Sequence, residues 1–564
     1  MRSFVFLLLC WLPAHAGWWP AQKAPRSIVI AGIQHSSDMP EMNLAQSVAG
    51  LAAQALNDGT GDEGVWIETT NAIYRTYFNS LVRRLKAGTP GTFTAWQLVD
   101  RYKEKGIIKG YILYDFSRKD NSVNLATMYA ALEKGILVDV TQEAIARSKG
   151  LQKLYDATHA VLDTAVLRAL LPKLNPHLLV IGNPAYPNNR DYAIAQKSVV
   201  YYGVDSLFQS VIKWVKPLSP VIGWNAGEEF KHIEPCTSWG LINTASDWCM
   251  NLPLLSIPPV NRLPQIRTLN PKDINWQEHA NYHAFVMSDG DNMQWTFGNF
   301  LNNRDYWNNP YNESIPMSFT SCVLNLVQAG SDVYSYLVKT QPGHTSVVEY
   351  GGGYYYPDLF ARLRPDREKL LREYAGMINA QMKITGTKVF GFICKDVSCE
   401  EALEAYRIYA EEIEDLTGMI AVQYSPYNGG GGKVFWVKNK KGTAIPIVTC
   451  KYQLWANLSR QGSGDPVQLA GWINEDNAPS PSANKQLNWT IVHAWSYFSD
   501  SITHHSIVTK DKKNIAAERG VTPVKWTKDL LDKGTKVVSI EELLWRIRMQ
   551  HNPAETLKAA GIHQ

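Results

Sequence analysis

Acidic side chains follow several predicted strands in the second half of this 564-residue chain. They are Asp289, Asp291, Glu349, Asp396 and Glu475. Glycoside hydrolysis commonly uses two carboxyl groups, because one protonates the leaving oxygen while the other attacks the sugar or activates water. We predict Glu349 and one of Asp289 or Asp291 as that pair, with Asp396 and Glu475 in reserve. A separation of roughly 5–5.5 Å between the pair favours retention, and roughly 6.5–9.5 Å favours inversion.

The segment 345–358, TSVVEYGGGYYYPD, has features of a ligand site beside these acids. Gly351 and Gly353 allow a sharp turn or the close approach of a ligand. Tyr354 and Tyr356 offer flat rings with a hydroxyl at the edge. We therefore predict that this loop binds sugar rings and their hydroxyls. Two further side chains are predicted to line the same cleft, namely Trp295 and His493.

Each of these residues also has a structural interpretation. An Asp after a strand often caps the next helix, which suits Asp396. The cluster 289–292, DGDN, suits a cation such as calcium through its oxygens. Glu475 fits a solvated turn, and a histidine inside an apolar strand, such as His493, is more often part of a core. The Gly- and Tyr-rich segment equally fits an ordinary surface loop.

Strand-like and helical segments alternate through the first half of the chain. Apolar strands are predicted at residues 27–31, 107–116 and 177–181, with helices between them that include one at 151–171. Such alternation predicts parallel sheets with crossover helices, an α/β fold. No GxGxxG follows a predicted strand, so we expect no dinucleotide cofactor and no other cofactor.

The second half repeats this alternation on a larger scale. Further strands are predicted at 445–450, 468–473 and 489–495. About eight strands with helices between them, over roughly 280 residues, fit a (β/α)8-like barrel that is distorted around 429–450. In such barrels the active site lies at the carboxyl ends of the strands, which is where the acids stand.

Proline, composition and the N-terminus indicate how the chain is divided. Five prolines within 252–271 place a boundary there, between an N-terminal α/β region at 17–270 and the barrel domain at 271–564. Residues 1–16 carry a positive charge, an apolar run and the small-x-small sequence Ala14-His15-Ala16, so they are predicted to be a signal peptide. We therefore expect a secreted or extracytoplasmic protein without a membrane span.

The totals narrow the class of protein and its partners. Hydrophobic residues make up 45% and charged residues 19%, which is typical of a globular chain with ample core. A net charge of +4 argues against a strongly basic nucleic-acid binder. Six cysteines remain after the signal peptide, and in an oxidising compartment disulfides are expected. Cys236 with Cys249, and Cys394 with Cys399, are nearest in sequence, although spacing leaves the connectivity open.

Residues 351–357, GGGYYYP, match the pattern G-x-G-Y-x-Y-P without a departure. The chain thereby resembles the GxGYxYP family of putative glycoside hydrolases, and its SDGDN cluster at 288–292 is also similar to that family's. The resemblance extends over most of the chain after the signal peptide. It implies an N-terminal α/β region followed by a barrel like those of glycoside hydrolases, with the motif near the site. It assigns no catalytic residue.

Together these features predict a secreted glycoside hydrolase acting on a poly- or oligosaccharide. Two other hypotheses remain open at this stage. One is a non-catalytic carbohydrate-binding protein, which needs the aromatic groove but none of the acids. The other is a metal-dependent carbohydrate deacetylase with Asp289, Asp291 and His493 as metal ligands.

Overall fold

A computed structural model of the protein describes residues 17–33, 37–456, 458, 460–477, 486–499 and 517–562. The predicted signal peptide, residues 1–16, lies outside the described residues. Within these ranges, no helix combines the length and the apolar character that crossing a membrane requires.

The first half of the chain contains three small sheets, and every pair of neighbouring strands in them is parallel. Their strands are β1 (Ser27–Ala31), β2 (Glu63–Ile67), β3 (Thr92–Phe93), β4 (Gly110–Tyr114), β5 (Gly135–Asp139), β6 (Lys153–Asp156), β7 (Asn175–Ile181), β8 (Ser198–Tyr201), β9 (Pro220–Gly223) and β10 (Ile242–Thr244). The strand orders are β2-β1-β3, β5-β4-β6 and β10-β9-β7-β8. The predicted parallel α/β architecture of this half is therefore confirmed.

Helices connect these strands, as parallel pairing requires. They are α1 (Met39–Asp58), α2 (Ile73–Leu85), α3 (Ala95–Glu104), α4 (Ser122–Glu133), α5 (Glu143–Ser148), α6 (Thr164–Leu170), α7 (Arg190–Ala195), α8 (Ser206–Trp214), α9 (Phe230–Ser238) and α10 (Leu252–Leu255). The helix predicted at 151–171 is wrong in its first part. Strand β6 occupies that part, and α6 begins only after Asp163, whose side chain accepts a hydrogen bond from the Val166 amide.

One large sheet dominates the second half. Its strands are β11 (Asn281–Met287), β12 (Ser318–Ser321), β13 (Ser346–Tyr350), β14 (Val389–Cys394), β15 (Gly418–Gln423), β16 (Val434–Lys438), β17 (Ala444–Thr449), β18 (Tyr452–Leu454), β19 (Ser463–Gly464), β20 (Leu487–Val492) and β23 (Thr535–Val537), and a separate hairpin pairs β21 (Phe498–Ser499) with β22 (Ala517–Glu518). Strand order is β16-β17-β15-β14-β13-β12-β11-β20-β18-β19, with β23 beside β11. Apart from β16, every strand of this sheet pairs in parallel with at least one neighbour.

The helices of this half cover the sheet and one of its ends. They are α11 (Met293–Phe297), α12 (Val323–Ala329), α13 (Ser331–Lys339), α14 (Arg367–Thr385), α15 (Glu400–Glu412), α16 (Pro466–Asn477), α17 (Val521–Asp529), α18 (Ile540–His551) and α19 (Pro553–Ala559). Helix α18 lies at the amino ends of the strands, because the Ile540 amide donates to Ser318 at the start of β12 and Leu544 packs against Gly418 at the start of β15. Loops cover the opposite end of the sheet, where the strands finish.

The large sheet curls, so that β17 and β18, which lie near its opposite ends, are brought close together. Strands β17 and β18 are separated only by Cys450 and Lys451. The Cys450 amide donates to Ala421 of β15, while the Lys451 amide donates to Trp489 of β20. The predicted fold is thus confirmed in part. The second half forms a curled, mostly parallel α/β sheet, and an eight-stranded (β/α)8 barrel is not confirmed. One predicted strand is also wrong, since residues 468–473 lie within helix α16.

Side chains along the curled sheet alternate between two cores. Val348 and Tyr350 of β13 belong to the cluster inside the curl, together with Ile420 of β15 and Leu543 of α18. Val347 instead belongs to the cluster between the sheet and the surrounding helices. Because successive side chains of a strand point to opposite faces, each position has a fixed side.

The cysteines do not form the expected disulfides. All six that follow the signal peptide are free, and five of them are buried. Cys394, for example, lies on a core strand with its sulfur 3.8 Å from the Tyr406 hydroxyl. The five buried cysteines behave as small apolar core residues.

Candidate active site

The carboxyl ends of strands from two sheets lie side by side, and the region between them is here called the cleft. The loop after β13 reaches across to β10, where Tyr354 and Asn243 form an antiparallel bridge with N···O distances of 2.7 and 3.2 Å. Helix α11 makes a second connection, because the Gln294 amide donates to Ala245 just beyond β10. In open α/β sheets, ligands bind beyond the carboxyl ends of the strands. Here the N-terminal half supplies one wall of such a site.

The turn after β11 is held by its neighbour β12. The Gly290 amide donates to the Thr320 hydroxyl at 2.9 Å, and that hydroxyl donates to the Met287 carbonyl at 2.7 Å. A Cβ atom on Gly290 would stand 1.9 Å from the Thr320 carbonyl oxygen, so only glycine fits. Asp289 adopts a left-handed conformation, with φ of 65°. This tight turn places Asp289 and Asp291 together at the mouth of the sheet.

Asp291 is a buried acid with an unusual proton affinity. Its side chain is 9% exposed, and burial raises its pKa to about 8, with further upward contributions from the negative charges of Asp289 and Glu229. Loss of hydration and nearby like charges both disfavour ionisation of a carboxyl group. Asp291 therefore carries a proton at neutral pH, beside two other acids.

Glu229 was not among the predicted site residues. It lies just before α9 in the N-terminal half, and its Oε1 accepts a 2.5 Å hydrogen bond from the Tyr354 hydroxyl. Burial raises its pKa, as does the charge of Asp289, while Tyr354 and Tyr424 lower it. The residues of the segment 224–249 lie between β9 and α10, and Glu229 is one of them. The structure shows that they bring a third carboxyl group to the Asp289–Asp291 turn.

Glu349 lies on the wrong side of the sheet for the predicted catalytic role. It alternates with Val348 and Tyr350, so its side chain faces the helices rather than the interior of the curl. It is 0% exposed, with Oε2 accepting from the Leu324 amide at 3.0 Å and Oε1 from the Gly352 amide at 2.9 Å. Burial raises its pKa to about 8, and these amide bonds lower it. Glu349 thus anchors the loop from beneath and has no route to a ligand.

The two reserve acids also stand apart from the site. Asp396 is exposed after β14, where its side chain accepts a hydrogen bond from the Ser398 amide at 2.8 Å. It does not cap the next helix as considered above, because α15 begins only at Glu400, after Cys399. Glu475 is exposed near the end of helix α16 rather than at a strand end. The neighbouring Asp476 pairs with Lys451, which precedes β18, so this segment lies towards the amino ends of the strands.

The glycines of the GGGYYYP loop serve close packing. Gly351 and Gly353 have φ of 78° and 145°, and a Cβ on Gly353 would stand 2.4 Å from Ile242 Cγ2. Tyr354 is 4% exposed and stacks against Trp224 at 6.1 Å, and Tyr356 is fully buried. The loop is therefore a joint between the two halves of the chain. Through Tyr354 it also positions Glu229.

A row of aromatic rings extends along the cleft beside the three acids. Neighbouring ring centroids lie 3.9 to 6.3 Å apart from Tyr356 to His493. The rings between them are Tyr424, Tyr427 and Trp455. The Tyr427 phenol is close enough to Asp289, Glu229 and Asp291 for their charges to raise its pKa, after burial, which is the main cause. Tyr356 is buried at one end of the row, whereas Tyr424, Tyr427 and Trp455 are partly exposed, and flat, partly wet rings suit sugar stacking.

His493 and Trp295 occupy different surroundings. The His493 ring stacks on Trp455 at 3.9 Å, and its Nδ1 lies 2.9 Å from the Ser496 hydroxyl. Burial lowers the pKa of His493, while the charge of Asp289 raises it. Trp295 is 7% exposed and packs against Trp495, which is 38% exposed. Trp295 thus supports a more exposed ring instead of lining the cleft itself.

The predicted three-ligand metal set is not formed. In the described part of the chain, no group of three or more His, Cys, Asp or Glu side chains is arranged to hold a metal ion. A cavity of about 760 Å³ opens at the other end of the large sheet, lined in part by Lys388, Glu541 and Arg548. Lys388 precedes β14 and Glu541 lies on α18, so this cavity is remote from the acids at the strand ends.

Comparisons with known families agree with this architecture. The GxGYxYP putative glycoside hydrolase C-terminal domain matches residues 280–511. The second and third domains of the GxGYxYP N-terminal region match residues 108–177 and 177–257. Together these matches cover more than half of the chain. The chain belongs to the GxGYxYP family.

A solved structure extends the comparison to the whole GxGYxYP chain. It is the crystal structure of a putative hydrolase from Bacteroides thetaiotaomicron VPI-5482, with a TM-score of 0.77 and 18% sequence identity. The match covers 95% of this chain and 97% of that one, so the two share a fold along their entire length. No protein of curated function matches the chain.

Proposed function

We propose that this GxGYxYP protein is a glycoside hydrolase with Asp291 as the proton donor. The observation that carries the proposal is the turn that places the buried Asp291 beside Asp289, with Glu229 close enough for its charge to raise the pKa of Asp291. Two neighbouring acids in unlike environments are how one site holds a proton donor and an ionised carboxylate at the same pH. The family description and the solved neighbour, both at the level of putative hydrolases, support this class of reaction.

In the proposed reaction, Asp291 donates its proton to the glycosidic oxygen as the bond to the leaving sugar breaks. Asp289 or Glu229 then acts as the ionised partner, either attacking the sugar or activating water. The hydrogen bond from Tyr354 orients Glu229 for that role and favours its charged form. Glu349, Asp396 and Glu475 take no part in this scheme.

The proposed substrate is a poly- or oligosaccharide that enters along the aromatic row. The rings of Tyr427 and Trp455 offer stacking faces next to the acids, and His493 closes the row near Asp289. We also propose secretion, in keeping with the signal peptide predicted at residues 1–16.

Four single variants assayed on a panel of glycans test the proposal. We expect Asp291→Asn to lower the hydrolysis rate by about 10²- to 10⁴-fold, because an amide cannot donate the proton. We expect Asp289→Asn and Glu229→Gln to show which acid is the ionised partner. Substitution of that acid should lower the rate strongly, and substitution of the other acid should lower it only slightly. Asp396→Asn, in an exposed turn, is the matched control and should keep full activity.

The pH profile of the parent gives a second readout of the same experiment. The pKa of Asp291 is raised to about 8, so the parent should lose activity as the pH rises through that value and the donor ionises. If Asp289→Asn, Asp291→Asn and Glu229→Gln all hydrolyse every substrate as fast as the parent, the proposal is wrong. Tight glycan binding without turnover by the parent would instead favour the carbohydrate-binding hypothesis.

A further inference from the structure

A lysine at the end of β14 is held firmly in the cleft wall. The backbone amides of Lys395 and Asp396 donate to the carboxylate of Asp358 at 3.0 and 2.9 Å. Asp358 is 3% exposed and follows the GGGYYYP loop directly. The backbone under Lys395 is thus fixed by the segment that joins the two halves of the chain.

The side chain of Lys395 is enclosed by aromatic rings. Its Nζ lies 4.8 Å from the ring centre of Tyr424, 5.4 Å from that of Phe230 and 5.5 Å from that of Tyr356. A cation over the faces of aromatic rings is attracted by their electron density. Three rings from three separate segments therefore hold this ammonium group in one place.

The ammonium group nevertheless has no acidic partner. Among the described residues, no Asp or Glu oxygen comes within 4.0 Å of Lys395 Nζ. Ordering a long lysine side chain costs rotamer entropy, so something must hold it in place. Here the ordering is achieved by the rings, and the donors of the ammonium group stay available.

Lys395 belongs to the same cleft as the acids. Phe230, one of its three rings, follows Glu229 directly, and the Tyr424 hydroxyl is close enough to Glu229 to lower the pKa of that carboxyl. Tyr424 and Tyr356 are also members of the aromatic row. A sugar lying along that row would pass the ammonium group on its way to the acids.

We propose that Lys395 binds an anionic group carried by a sugar ring, so that the cleft selects acidic glycans. The shared chemistry is an oxyanion, either the carboxylate of a uronic acid or a sulfate ester. An ammonium group suits both, because it is a compact charge with three donors that adapts to oxyanions of different shape. This inference rests on the proposed function for its site, and it concerns which sugars enter that site.

The test measures binding in a form of the protein that turns substrate over slowly. Calorimetry on the Asp291→Asn background compares a uronic-acid oligosaccharide with its carboxyl-reduced, neutral counterpart, and a sulfated oligosaccharide with its desulfated counterpart. Lys395→Met is added to this background. Lys369→Met is the control, because Lys369 is an exposed lysine on α14 whose nearest acid, Glu373, is 3.8 Å away.

We expect Lys395→Met to weaken binding of the acidic ligand by about 10- to 100-fold, since a hydrogen bond to a charged group contributes about 1.5–3 kcal/mol. Binding of the neutral counterpart should change little, and Lys369→Met should change neither. Whichever acidic ligand responds identifies the oxyanion as a carboxylate or a sulfate. Lys395→Arg should restore part of the affinity, because the positive charge is kept.

Two outcomes overturn the inference. One is that the protein binds neutral glycans as well as acidic ones, or binds neither. The other is that Lys395→Met leaves the affinity for acidic glycans unchanged. The outcomes also separate the two proposals, because hydrolysis of neutral glycans without any effect of Lys395 removes only the inference. Binding of acidic glycans that depends on Lys395, in a parent protein that hydrolyses none of them, removes only the proposed hydrolase.

Discussion

Two loops that follow strands of the large sheet carry acids and glycines, yet they place their acids in opposite environments. The turn at 288–292 presents Asp289 and Asp291 to the cleft, beside Glu229. The loop that begins at Glu349 has its acid buried towards the helices, where two backbone amides hold it, and its glycines pack against neighbouring segments such as β10. The difference shows that an acid at the end of a strand can reach a ligand only if its side chain points towards the cleft rather than towards the covering helices.

The largest effect expected from this contrast comes from Gly290→Ala. The added Cβ would meet the backbone of Thr320, so the turn must shift and carry Asp291 with it. A misplacement of about 1 Å in a catalytic group can lower the rate by about 10²-fold. We expect a rate loss of at least that order, measured on the best substrate of the panel. Activity close to that of the parent would show that this turn is not the site.

A smaller effect, on stability rather than on chemistry, is expected from Gly353→Ala. Its φ of 145° is unfavourable for any residue with a side chain, and its Cβ would press on Ile242 across the joint. We expect the free energy of unfolding to fall by about 2–3 kcal/mol, from backbone strain and overpacking together. Denaturant unfolding measures this loss.

The matched control for that variant is Gly376→Ala. Gly376 lies within helix α14 with no atom near the place of its Cβ, so alanine there should raise the stability by about 0.5–1 kcal/mol. Equal effects of the two substitutions would mean that the GGGYYYP loop is not a packed joint.

The last prediction concerns Glu349→Gln, which should affect stability but not the chemistry. Glutamine can accept only one of the two amide hydrogen bonds well, which should cost about 1–3 kcal/mol of stability near pH 5. The pKa of Glu349 is raised to about 8, so the folded parent holds a proton that the unfolded chain releases. The parent therefore loses stability, relative to the glutamine variant, as the pH rises from about 4 towards about 8.

Thermal unfolding of both proteins across this pH range measures the effect. The deficit of the glutamine variant should be largest at low pH and shrink as the pH approaches 8. Activity per folded molecule should stay near that of the parent, because Glu349 has no route to a ligand. A rate loss like that of Asp291→Asn would return Glu349 to the active site.

The sequence predicted the alternation of strands and helices, the GxGYxYP motif and the acidic turn. It missed the side on which Glu349 lies, because β13 is buried on both faces and its apolar residues show no alternation. Helix α16 was mistaken for a strand, although Asp465 and Pro466 are a recognisable cap and first residue of a helix. Both signals can be recognised from the sequence alone.

Other features depended on contacts that no local pattern encodes. Glu229 lies near Asp291 in a fold where β10 pairs with the loop after β13, more than a hundred positions away in the chain. Lys395 gained its significance in the same way, from rings in three distant segments. Sequence reasoning finds the elements of such a site more readily than their assembly.

The bridge between Asn243 and Tyr354 makes the proposed site depend on contact between the two halves of the chain. If residues 280–562 folded without their N-terminal neighbour, Tyr354 would have no strand to pair with and no Glu229 to hold. The acidic turn would then be an isolated pair of carboxyl groups open to water. Only a chain whose two halves are docked brings the three acids together, so the proposed site depends on the complete fold.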